Sequence, residues 1–195
     1  SLRGFLSKFL NVEIGLALMS SRWAGAEFWE SQIRKCVTLD YILDKAEVCT
    51  IGVDWGGADD LAALCLLGRF PDKSWGAWVK AWARPSVFKA RPKIADRLRD
   101  FQRAGDLSVV PTGEAQAAEA ADICQRVFEA GLLPAEGGIG LDSAGIDLLI
   151  DALDTRGLVY PLVVPVPQGW KLQSVVSGVP LRLEAGTLVH GGQPL

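Results

Sequence analysis

This chain of 195 residues predicts an α/β fold, in which three antiparallel strands are followed by parallel strands and helices flank the mixed sheet. Three observations carry that prediction. The segments 48–54, 61–69 and 75–83 are short, apolar and joined by brief polar or glycine-bearing turns, which is the pattern of an antiparallel meander. Beyond residue 90, segments with helical periodicity alternate with short apolar runs, as parallel strands with crossover helices require. Gly131 and Gly157 fall where two of those helices should stop.

Taken in order, residues 1–47 read as short helical pieces rich in large apolar groups: Phe5, Leu6, Phe9 and Leu10, then Trp23, Phe28, Trp29 and Ile33. They form a lead-in arm that packs either on another domain or on the one that follows. Residues 48–195 form the main domain. Its first strand is β-branched (Val48, Thr50, Ile51, Val53), ends in Asp54, and turns at Gly56-Gly57 into an apolar return strand, Leu61–Leu67. Asp72, between Pro71 and Lys73, marks the next turn. A helix is expected over 91–104, a strand over 107–110, a helix over 115–130 and a strand over 138–142. A helix over 144–156 and a strand over 158–164 follow, and 170–183 is helical despite Gly178 and Pro180. This order of elements is that of a ribonuclease H-like sheet.

Composition narrows the chemistry. A hydrophobic content of 49% suffices for a substantial core. With 20 basic and 23 acidic residues, bulk charge does not drive binding to nucleic acid. The densest basic stretch is Arg84, Lys89, Arg91, Lys93, Arg97, Arg99 and Arg103, which reads as a solvated helix face or as a phosphate-contacting surface. Four scattered cysteines without a C-x-x-C pair, and one histidine, argue against zinc; Cys49 and Cys65 read as buried thiols. No signal peptide and no eighteen-residue apolar run is visible, so neither secretion nor a membrane span is expected.

The candidate site is a pair of carboxylates. Asp54 closes the first strand and Asp142 closes the strand Gly138–Leu141, each followed by small residues. If those strands are parallel neighbours, the two acids lie side by side at their carboxyl ends, where open α/β sheets place ligands. Acids without a histidine base or cysteine nucleophile suit a hard cation, Mg²⁺ or Mn²⁺, bound through carboxylates and substrate phosphates. Two such ions about 4 Å apart would activate water and stabilise the leaving oxygen of a phosphodiester. A tight Gly56-Gly57 turn would fold Asp60 back as an auxiliary acid. Ser143 reads as a helix cap, His190 as structural, and Asp147, Asp151 and Asp154 as the solvated face of one helix. Lys171, beside Trp170, is a candidate DNA-phosphate contact, as are Arg91 and Lys93. A strand, Asp and Gly-Gly hairpin also opens actin-like and sugar-kinase-type ATP-binding domains, which leaves a phosphate-gripping alternative, and a docking module with purely structural acids is another.

Nearly the whole chain resembles the nuclease domain of phage large terminase subunits. The likeness rests on Thr50-Ile-Gly-Val-Asp54-Trp-Gly-Gly-Ala-Asp-Asp60, Ile94-Ala-Asp-Arg-Leu-Arg-Asp-Phe101, Ile139-Gly-Leu-Asp142-Ser-Ala-Gly145, Gln168-Gly-Trp-Lys171 and Leu183-Glu-Ala-Gly-Thr-Leu-Val-His-Gly-Gly192. It implies a metal-dependent endonuclease that cuts concatemeric double-stranded DNA during genome packaging in the cytoplasm of an infected bacterium. By this resemblance Asp54 and Asp142 are metal ligands and Asp60 a further catalytic acid, while the third essential carboxylate lies beyond residue 195. The implied partners are the terminase ATPase domain, with residues 1–47 as the arm leading from it, the small terminase subunit and the portal. The chain contains no G-x-x-x-x-G-K-[ST] phosphate loop, so ATP hydrolysis is not expected of it.

Overall fold

In the computed structural model, residues 23–57, 60–142, 145–167 and 170–193 are described, with backbone alone at Trp170, Lys171, Gln173 and Ser174. Apolar residues at every second position of β1 (Val48–Trp55) give a strand whose Cys49, Ile51, Val53 and Trp55 are buried, while Thr50, Gly52 and Asp54 face outward. It pairs antiparallel with β2 (Ala62–Arg69), which pairs antiparallel with β3 (Trp75–Ala83). The short strands β4 (Leu107–Val109), β5 (Ile139–Leu141), β6 (Val163–Pro165) and β7 (Leu188–His190) all run parallel to their neighbours. The order is β4-β3-β2-β1-β5-β6, with β7 beside the opening residues of β3. Three antiparallel strands followed by parallel ones is the mixed, ribonuclease H-like sheet the sequence predicts.

The inward face of the sheet carries the main core. Ile51, Val53, Leu64, Leu66, Trp82, Ile139 and Leu141 meet three helices there: α2 (Leu39–Lys45), α5 (Gly113–Glu129) and α6 (Asp147–Asp154). α5 approaches closely because its inner stripe is small: Ala117, Ala120, Ala121 and Cys124 are fully buried. The Thr112 hydroxyl accepts from the Ala115 N–H at its start. On the opposite face, α3 (Pro85–Ala90) and α4 (Ala95–Ala104) form a smaller core with Ala81, Ala83 and Leu107. Among the described residues, this second layer covers the β3–β4 end and leaves the outward face of β1 open.

Several elements differ from the sequence expectation. The helix expected over 91–104 is broken: α3 starts earlier at Pro85, and Pro92 opens a 3₁₀ turn before α4. Both prolines occupy first-turn positions, where the missing N–H costs nothing, so each starts a helix. The strand expected over 158–164 shrinks to β6, because the Val163 N–H turns back to the Val159 carbonyl at 3.1 Å. α6 begins at Asp147, later than expected, and Ser143, the expected cap, lies outside the described residues. α7 (Trp170–Glu184) runs through Pro180. Cys49 is buried as expected, whereas Cys65 is only half-buried and faces the bare side of the sheet.

The described part of residues 1–47 lies against the sheet domain. Val37 and Ile42 belong to its core, α1 (Ala26–Trp29) packs on α7, and Ile33 bridges to His190. His190 is 4% exposed and stacks on Trp29 with ring centroids 3.9 Å apart. The Gly192 N–H donates to its Nδ1 at 3.2 Å, so the ring proton sits on Nε2 and donates to the Trp29 carbonyl at 2.9 Å. Burial, aided by Lys35 and opposed by the Trp29 contact, lowers its pKa below 6.5. The folded state therefore binds fewer protons than the unfolded chain, and this contribution is complete above about pH 6.5 and lost as pH falls below it. As the chain has one histidine, the fall in melting temperature between pH 7 and pH 5 should shrink in His190→Phe, which keeps the stacking and removes the titration.

Candidate metal centre

Register brings the two acids together. In the parallel β1–β5 pair, Ile51 faces Ile139, Gly52 faces Gly140 and Val53 faces Leu141. One step further along both strands aligns Asp54 with Asp142, and the Asp142 N–H donates to the Val53 carbonyl at 3.1 Å. Neighbouring strands lie about 4.8 Å apart, and residues in register point to the same face. That face is the bare one: Asp54 is exposed and Asp142 half-buried, while their neighbours Val53, Trp55 and Leu141 are buried behind. Residues 54 and 142 thus share one open side of the sheet.

The cleft above them holds about 400 Å³. Its floor at Gly52 is bare backbone, since a Cβ there would meet nothing within 4 Å. At Gly140 the space is taken by Val166, whose Cγ2 lies 2.6 Å from where a Cβ would stand. Ala63, Cys65 and Val79 form the far wall. The β1–β2 and β2–β3 registers put these residues on the acid face, and sequence reasoning missed them as lining residues. Burial pushes the Cys65 thiol up to about 11, so it is neutral at physiological pH and offers no thiolate. The donor set is therefore carboxylate oxygen, suited to a hard divalent cation that keeps part of its water shell. Among the described residues no group of three or more His, Cys, Asp or Glu side chains is arranged to hold a metal.

The remaining candidates fall around this pair. Asp60 does not line the cleft; its Oδ1 accepts from the Leu61 N–H at 2.8 Å and its Oδ2 pairs with Arg91 at 2.8 Å. Arg84, from the end of β3, donates to the Gly57 carbonyl at 2.7 Å. Two arginines thus hold the loop that follows Asp54. Within α4, Arg99 pairs with Asp96 and Arg103 with Asp100, so part of the basic stretch is neutralised locally. Lys93 is exposed in the 3₁₀ turn before α4. Lys171 falls in the first turn of α7, its side chain outside the description, as are Asp59 and Ser143.

Gly56 is the residue the loop depends on. A Cβ there would stand 1.9 Å from the Leu61 carbonyl oxygen and 2.7 Å from its carbon, both backbone atoms that cannot swing aside. Gly56→Ala should cost about 1–3 kcal/mol in urea unfolding. Gly52→Ala, two residues earlier in open space, should change stability by about 0.5 kcal/mol or less.

No family's sequence profile matches the chain, and no curated protein matches it. Among solved structures, the chain is similar to the large terminase of bacteriophage HK97, with a TM-score of 0.59 and 22% sequence identity. The likeness covers 81% of this chain and 34% of that protein, so the chain spans about a third of its length. At this identity the likeness is one of fold: the mixed sheet carrying Asp54 and Asp142 is a fold found within a bacteriophage large terminase.

Proposed function

We propose that this chain is the nuclease domain of a terminase large subunit, a metal-dependent endonuclease that cuts concatemeric double-stranded DNA during genome packaging. One observation carries the reading: the β1–β5 register sets two carboxylates side by side on an open sheet face. The fold likeness to a bacteriophage large terminase supports it. Asp54 and Asp142 would hold Mg²⁺ or Mn²⁺, with water and substrate phosphate completing the shell. When bound, such ions supply Lewis-acid activation of the attacking water and charge stabilisation at the departing oxygen.

The chain's own residues do the rest. Asp54 and Asp142 present oxygen donors from two strands fixed by main-chain pairing, so their spacing is set before ligand arrives. Gly52 leaves the backbone bare where a phosphodiester must approach. Arg84 and Arg91 fix the loop bearing Asp60, and Arg91 and the exposed Lys93 would contact the DNA backbone. Asp60 serves as the auxiliary acid once released from Arg91, and Lys171 contacts phosphate from α7. Residues 1–47 lead from an ATPase domain, the third carboxylate comes from beyond residue 195, and the small subunit and portal are partners. The site of action is the cytoplasm of an infected bacterium; no described helix is long and apolar enough to cross a membrane.

The test is conversion of supercoiled plasmid to nicked and linear forms in Mn²⁺ against EDTA, read beside the melting temperature in each. Clustered carboxylates repel, so a cation between them should raise the melting temperature as well as permit cutting. The absence of both a Mn²⁺-dependent rise and cutting would remove the proposal.

A further inference from the structure

A second concavity, of about 390 Å³, lies behind the acid-bearing strand, between α6 and the edge strand β6. Its floor is apolar and buried at Leu141, Leu153 and Leu158. Its mouth leaves large apolar groups in water: Ile150 is 44% exposed, Val159 45% and Tyr160 80%. An apolar groove with an apolar rim of this kind marks a contact surface. Leu141 points into it while the next residue, Asp142, faces the cleft on the other side of the sheet, so the two sites are back to back.

Backbone chemistry limits what can dock there. An added strand needs free N–H donors along β6, yet the Val163 N–H is spent on the Val159 carbonyl and Pro165 has none. Strand addition is therefore blocked, and the visitor must be anchored by side chains. Charge selects further. Asp151 and Asp154 line the groove, and Asp147 stands on the same helix, spaced to share one face. All three are exposed and without a cationic partner among the described residues. Arg156, which follows α6, is committed to Asp122 and to the carbonyls of Ala152 and Ala118. An acidic rim repels nucleic acid and attracts Lys and Arg. We infer that this groove docks a cationic amphipathic helix of a partner protein, with apolar side chains entering between Ile150, Val159 and Tyr160 and basic ones meeting Asp151 and Asp154.

The inference is independent of the nuclease reading, because its test uses binding alone. The probe is a fluorescein-labelled Leu/Lys peptide of about 14 residues, long enough to form an amphipathic helix on binding. It is titrated by anisotropy against the full chain. Expected results are saturable binding, weakened about tenfold in Ile150→Ser/Val159→Ser and in Tyr160→Ser. Asp151→Asn/Asp154→Asn should weaken binding and flatten its salt dependence. Deuterium exchange should slow over residues 146–165 when the peptide is added. These substitutions sit on exposed positions, and circular dichroism melts are the check that each variant folds. Equal binding by a Ser/Lys peptide, or by a Leu/Glu peptide, would overturn the inference; so would protection mapped elsewhere, or unchanged affinity in every groove variant.

Discussion

In a longer chain that also carries the third carboxylate, replacing Asp142 by asparagine should lower Mn²⁺-dependent plasmid cutting about a thousandfold, and Asp54→Asn should do the same. That factor corresponds to several kcal/mol of charge stabilisation lost with one oxygen ligand. Asparagine keeps the size of the side chain and removes its charge. Neither change should unfold the protein, because both side chains lie on the open face and the Asp142 N–H to Val53 carbonyl bond is made by the main chain. Without metal, either variant should melt at or above the parent's temperature, since two carboxylates in register repel. With Mn²⁺, the parent's rise in melting temperature should be absent from both variants. That second reading keeps the prediction decisive where cutting is slow. Retained cutting in Asp54→Asn/Asp142→Asn would show that this pair does not organise the reaction.

The strands were legible wherever period-two burial was long enough to be read. β1, β2 and β3 span eight or nine residues each, and in β1 and β2 the alternation specifies which face is buried. β3 matches its expected limits of 75–83. Of the three-residue strands, β4 and β5 fall within their expected limits of 107–110 and 138–142, whereas β6 and β7 depart from expectation. Leu188–His190 carries no strand signal of its own, because its pairing with Trp75–Ala77 is a contact between distant parts of the chain. The apolar run 158–164 looked like a strand throughout, but Leu158 and Leu162 are buried by a turn that hydrogen bonds Val163 to Val159. Local composition could not separate those two ways of burying the same side chains.

The acid pair was legible for a different reason. An acid at the end of an apolar strand, followed by glycine or small residues, has few structural explanations, and two such strands invite a parallel pairing. The surroundings were not legible. Cys65 and Val79 reach the cleft only through two successive antiparallel registers. The partner of Asp60 is one arginine among several in the basic stretch, and sequence spacing does not choose Arg91. Ion pairs between half-exposed groups are set by small energies and local geometry, which a linear sequence leaves undetermined.

Trp82→Ala should remove about 3–5 kcal/mol of folding stability, a large part of the roughly 5–15 kcal/mol that a domain of this kind possesses. Trp82 is fully buried in β3, between the sheet and α5, and its indole N–H donates to the Glu119 carboxylate at 2.7 Å. Alanine would leave a cavity that the surrounding sheet cannot close, because β3 is held on both sides by β2 and β4. Trp82→Phe separates the two contributions. It keeps most of the volume and drops the hydrogen bond, so its cost should be about 1–3 kcal/mol. Glu119 is exposed and can take water as a replacement partner, which keeps this cost toward the lower end. The consequence reaches the acid pair through the sheet. Trp82 faces Ala62 across β2 and β3, Ala62 faces Trp55 across β1 and β2, and Trp55 follows Asp54. Urea melts of both variants, read beside Mn²⁺ binding by the folded fraction, should show a steep loss of stability in Trp82→Ala. Metal affinity should persist in Trp82→Phe, because that variant keeps the core that holds β1 in register with β5.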